Sequence, residues 1–133
     1  MCTLIREVVV KIIYAYLMSG EIDVNLKKNL YAEIKAKKED IEYGEELLNK
    51  VISNIDELLE TINSLSKGFD VDRIYMLDKC IMLVAMAEIK YVPSVPNEVS
   101  ISEAMKLVKI YSNDDKSFSF VNGILAELLR REG

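Results

Sequence analysis

Apolar residues recur every three or four positions along almost the whole chain. Ile5, Val8, Val9, Ile12, Ile13 and Tyr16 form a broad stripe, and strict alternation is absent, so the β-branched run Val8–Val10 reads as helix rather than strand. Ser19-Gly20 supplies a stop for that helix. A second helix is predicted over about Val24–Lys37, with Asp23 as N-cap and Leu26, Leu30 and Ile34 on one face. From Glu39 to Leu65 the pattern Ile41, Leu47, Leu48, Val51, Ile55, Leu58, Leu59, Ile62, Leu65 predicts one long helix, or two joined near Ser53-Asn54. After Ser66-Lys67-Gly68, Asp70 or Asp72 opens the next helix, which runs to about Tyr91 and is apolar nearly all round in its middle. That marks a central, buried element.

Pro93-Ser-Val-Pro96 reads as a stiff extended connector, since each Pro drives its predecessor out of the helical region. Ser100 with Glu103 fits a capping box opening a helix to about Tyr111. Ser112–Lys116 is polar, and Ser117 is placed to cap a last helix through Arg131, with Val121, Ile124, Leu125 and Leu128 inward. Six or seven helices and no strand make a single all-α domain.

Composition narrows the chemistry. A chain of 133 residues, half of them apolar, has room for one domain with a core of its own. It has no His, which removes the commonest acid–base group at neutral pH and the commonest metal ligand. Cys2 and Cys80 form no CxxC and read as reduced thiols. No apolar run reaches the ~20 residues that span a bilayer, so the expectation is a soluble, cytoplasmic protein. Glycines form no phosphate loop, Ser and Cys have no His to activate them, and Asp78 and Glu88 lie about three turns apart. No enzyme is expected, and no cofactor or metal.

The formal charge is −5, against a protein that coats nucleic acid through bulk charge. The deficit is local. Residues 33–60 hold nine carboxylates against four lysines, whereas residues 73–133 balance at eight of each sign. The acidic stretch is either a solvated face or a surface that keeps RNA on the opposite side.

Arg6-Glu-Val-Val-Val-Lys-Ile-Ile-Tyr14-Ala, Arg73-Ile-Tyr-Met-Leu-Asp78-Lys79 and Phe120-Val-Asn-Gly-Ile-Leu125 stand in a fixed order along the chain, and together they resemble the NusB family of bacterial transcription antitermination factors. The first motif is similar to the family's first helix. The second, with Ala87-Glu88-Ile, Val95-Pro96 and Val99-Ser-Ile-Ser-Glu103-Ala104, resembles its central helix, Pro connector and following helix, and the third its last helix. The resemblance implies an all-helical fold of two packed subdomains, residues 1–66 and 67–133, without a cofactor. It also implies binding of boxA-type ribosomal RNA leader jointly with the ribosomal protein NusE, other Nus factors and RNA polymerase joining indirectly. A homodimer that hides the RNA face is compatible with such a fold.

On this basis the RNA-contacting candidates are Arg6, Lys11, Tyr14, Arg73, Lys79, Phe120 and Asn122, and the partner-contacting candidates are Asp78, Glu88 and Phe120. The bland alternatives are exposed helix charges for the cations, a core position for Tyr14 and a surface ion pair with Arg73 or Lys79 for Asp78. Phe120 is offset from the Val121–Leu128 stripe and is expected at the surface; Gly123 is expected to permit close helix approach. The family's arginines before the first-helix Arg-Glu are absent from Met1-Cys-Thr-Leu-Ile5, Ser119 stands for its Lys, and Leu83 for an Arg. The loop before Ser117 is about one residue longer than the family's. Fewer cations mean weaker phosphate neutralisation, so the second expectation is an adaptor that holds the ribosomal-protein partner and reads RNA poorly.

Overall fold

The computed structural model describes residues 3–69, 73–112 and 114–132. They form seven helices and no strand: α1 (Thr3–Ser19), α2 (Val24–Glu33), α3 (Lys38–Ser53), α4 (Ile55–Ser66), α5 (Met76–Tyr91), α6 (Asn97–Tyr111) and α7 (Asp115–Glu132). α5 is the axis of the molecule and packs against α1, α3, α4, α6 and α7. Every residue from Cys80 to Glu88 is buried, as its all-round apolar sequence predicts.

Where expected and observed boundaries agree, the local chemistry explains why. Gly20 adopts φ +85 and its N–H bonds the Tyr16 carbonyl at 2.7 Å, closing α1 in a conformation that costs Gly little. The Asp23 carboxylate accepts from Leu26 N at 2.9 Å and caps α2. The 39–65 segment is two helices, broken at Asn54, whose side-chain amide donates to the Lys50 carbonyl at 2.8 Å.

Other boundaries differ. α2 stops at Glu33, short of Lys37, because Lys35 takes φ +53 and turns the chain. α5 starts at Met76 with Tyr75 as N-cap; Asp70 and Asp72, the expected openers, lie outside the described residues, as does Cys2. The Pro93–Pro96 connector is a turn, with Val95 N on the Val92 carbonyl, rather than an extended strut. α6 begins one turn before the expected capping box. Pro96 is its N-cap, and the Pro96 carbonyl accepts from Val99 N and Ser100 N at 3.0 and 3.3 Å. Ser100 and Glu103 are thereby freed for tertiary bonds. Asp114, not Ser117, opens α7: its carboxylate accepts from Lys116 N at 2.9 Å, and Ser117 is buried.

Candidate nucleic-acid interface

Two of the sequence-derived candidates turn inward. Arg6 shares the α1 face of Val9, Val10 and Ile13 and is 3% exposed. Glu88, 1% exposed, lies in the buried stretch of α5. Arg6 Nε donates to Glu88 Oε1 at 3.0 Å and its guanidinium lies 2.9 Å from Oε2, a two-pronged pair suited to the planar guanidinium. Ser100 Oγ donates to Glu88 Oε1 at 2.6 Å, and the Tyr43 hydroxyl donates to Oε2. One carboxylate therefore ties α1, α3 and α6 to α5. Burial first, then the bond to Glu88, pushes the Tyr43 phenol above its ordinary range. Arg6 as a surface phosphate contact and Glu88 as a partner contact are corrected to members of this internal network. The signal was present: Arg6 falls on an apolar helical face, and Glu88 in a segment that is apolar all round.

Phe120 is corrected as well. It is 7% exposed, and its ring meets Phe69 edge-on at 5.7 Å between centroids. A Cβ on Gly123 would lie 2.7 Å from Phe69 Cε1, so the glycine admits the ring of Phe69, a residue beyond the end of α4, to α7 rather than the close helix approach expected of it. Asp78 is buried and accepts from Ser112 Oγ at 2.9 Å, joining α5 to the end of α6 without an ion pair to Arg73 or Lys79. Leu83, at the family's Arg position, is fully buried.

The remaining candidates face solvent or its edge. Lys11 is exposed and Tyr14 is 40% exposed, and they line an apolar groove of about 570 Å³ with Leu26, Leu30, Met76 and Leu77. Arg73 is exposed, Lys79 half-buried and Asn122 exposed. A second groove of about 720 Å³ lies between the segment leading into α5 and the α6–α7 junction. It gathers Arg73, Asp78 and Phe120 with Tyr75, Lys116 and Ser119. Both grooves flank the start of α5, so Lys11 and Tyr14 on one side and Arg73, Asp78 and Phe120 on the other border the same helix end. Lys79 and Asn122 line neither groove.

Sequence reasoning missed Tyr75 and Lys116. Tyr75 follows Arg73 by two residues in an irregular segment and carries the Arg73 guanidinium 5.1 Å from its ring centroid. Among the described residues no group of three or more Cys, Asp or Glu is placed to hold a metal ion, and no helix is long and apolar enough to cross a membrane.

Comparison with known proteins places this arrangement. A family model described as the NusB family matches residues 3–130. The Transcription antitermination protein NusB of Finegoldia magna is 37% identical over 127 residues, covering 96% of this chain and 92% of that one. Its counterpart from Alkaliphilus oremlandii is 31% identical over 130 residues, covering 98% and 94%. A crystal structure of the antitermination factors NusB and NusE in complex with dsRNA superposes with a TM-score of 0.81 at 25% identity, covering 97% of this chain and 96% of that one. T. maritima NusB, at 21% identity and TM-score 0.83 over 98% of this chain and 92% of that one, shares the fold. With motifs, fold and full-length similarity in agreement, the chain belongs to the NusB family.

Proposed function

We propose that the chain is a cytoplasmic transcription antitermination factor that acts by binding, not catalysis, and engages boxA-type leader RNA together with NusE. The observation that carries this reading is the full-length correspondence, in sequence and fold, to relatives named as antitermination proteins and to a NusB held with NusE and dsRNA. The surface we assign to the task surrounds the start of α5. Lys11 and Arg73 supply phosphate contacts, with Lys79 at the edge; Tyr14 offers a ring face; Asn122 offers a polar edge on α7; and Asp78, beneath the larger groove, offers negative charge to a basic partner. The acidic 33–60 stretch belongs to α2–α4 and leaves this surface close to neutral.

The inward turn of Arg6 favours a second reading: an adaptor that keeps NusE but has little RNA affinity of its own. In-vitro transcription on a boxA-leader template with NusE and the other Nus factors tests the first reading. Added chain is expected to raise read-through on the boxA template and leave a scrambled-boxA template unchanged. Equal read-through on both templates would overturn RNA-specific antitermination.

A further inference from the structure

The larger groove is poorly suited to a phosphate track. Arg73 and Lys116 are its cations, but Asp78, Asp114 and Asp115 put three carboxylates around the same space. Its side chains instead suit a flat, partly apolar group with hydrogen-bond donors on its edge. Tyr75 is 51% exposed, an unusual exposure for an aromatic side chain, and Arg73 covers its ring at 5.1 Å. A ring has two faces; a cation over one polarises the ring, and the half-exposed Tyr75 side chain lines the groove. Unpaired bases stack on such faces, and carboxylates accept hydrogen bonds from the amino groups of cytosine, adenine or guanine but meet mainly carbonyl oxygens on uracil.

We infer that Tyr75, backed by Arg73, is a stacking platform for one unpaired, amino-bearing RNA base, and that the groove's exposed carboxylates, Asp114 and Asp115, read that base's edge. The inference rests on the RNA-binding reading above and adds to it a residue and a base class. It also gives the excess of carboxylates in the groove a role that phosphate binding would not. The Tyr75 side chain makes no cap hydrogen bond for α5, since it is the Tyr75 carbonyl that accepts from Lys79 N at 3.0 Å; an alanine there leaves the helix start intact.

The test is fluorescence anisotropy with labelled boxA-type RNA in the presence of NusE, using the wild-type chain, Tyr75→Ala and Tyr75→Phe. Loss of the stacking face is expected to weaken RNA binding about tenfold or more for Tyr75→Ala, while Tyr75→Phe stays within about twofold of wild type. RNAs in which each non-uracil base in turn becomes uracil should include one position whose change weakens wild type but not Tyr75→Ala. Wild-type affinity in Tyr75→Ala, with wild-type binding otherwise intact, overturns the platform alone. Equal losses in Tyr75→Phe and Tyr75→Ala assign the effect to the hydroxyl and also overturn stacking. Failure of the wild-type chain to bind RNA with NusE overturns the functional reading and the platform with it.

Discussion

The Arg6–Glu88 network makes the sharpest energetic prediction. Arg6→Met removes the two guanidinium contacts to Glu88 and leaves the carboxylate in the core with the Ser100 and Tyr43 hydroxyls as its donors. Removing one partner of a buried pair costs about 3–5 kcal/mol, and the two surviving hydroxyls place this variant near the lower end, about 3 kcal/mol. Glu88→Leu takes the Glu88 carboxylate away from the buried guanidinium and is expected to cost a similar amount. The double variant Arg6→Met/Glu88→Leu removes both charges of the pair together, so its cost is expected to fall about 3 kcal/mol or more short of the sum of the singles. Urea unfolding followed by circular dichroism, at a slope of about 1.5 kcal/mol/M, translates the Arg6→Met loss into a midpoint lower by about 2 M. A coupling of about 3 kcal/mol or more between the two sites is the expected outcome. Additive effects within about 0.5 kcal/mol, or single variants as stable as wild type, would refute the claim that this pair holds α1 to α5.

Further outcomes follow from other contacts. Gly123→Ala should lower stability by about 1 kcal/mol, because pushing the Phe69 ring aside outweighs the gain in helix propensity; in a Phe69→Ala background the same change should be neutral or stabilising, as read by thermal melts. Burial holds the Cys80 thiol up to about 12 against an ordinary 9, so the folded state favours the protonated form: the contribution is complete below about pH 9 and is lost as pH rises from there through about 12. Iodoacetamide at pH 8 with peptide mapping should accordingly leave Cys80 unmodified in the native chain and modify it in urea; rapid native labelling would contradict its burial. Asp78→Asn keeps an acceptor for Ser112 but removes the charge, and should weaken NusE binding by about 3- to 10-fold; unchanged affinity removes Asp78 from the partner surface.

The helices were legible because their apolar spacing is nearly uninterrupted, and Asp23, Gly20 and Asn54 each carry the chemistry of a cap or break. Boundaries failed where the determinant is not local. Ser100 and Glu103 have the spacing of a capping box, yet Pro96 begins the helix a turn earlier, and Ser100 then answers to Glu88, twelve residues away. Lys35 ends α2 in a left-handed conformation that nothing in its residue type announces. The family motifs gather candidate residues around the start of α5 but do not give the direction of each side chain. Arg6 and Phe120 carry the expected residue types and are buried by partners far along the chain, Glu88 and Phe69. Tyr75 lies within the Arg73–Lys79 motif, but its exposure and its ring contact with Arg73 follow from α5 starting at Met76, which the expected helix start at Asp70 or Asp72 does not give.

The central claim, joint recognition of RNA with NusE, is tested most directly by titrating boxA-type and scrambled RNA with the chain, with and without NusE, at two salt concentrations. With phosphate contacts reduced to about three, from Lys11, Arg73 and Lys79, the slope of log affinity against log salt is expected near −2. NusE should tighten boxA binding severalfold and leave scrambled RNA weak. Equal affinity for boxA and scrambled RNA in the presence of NusE would contradict the account, and NusE binding with no RNA binding at all would establish the adaptor in its place.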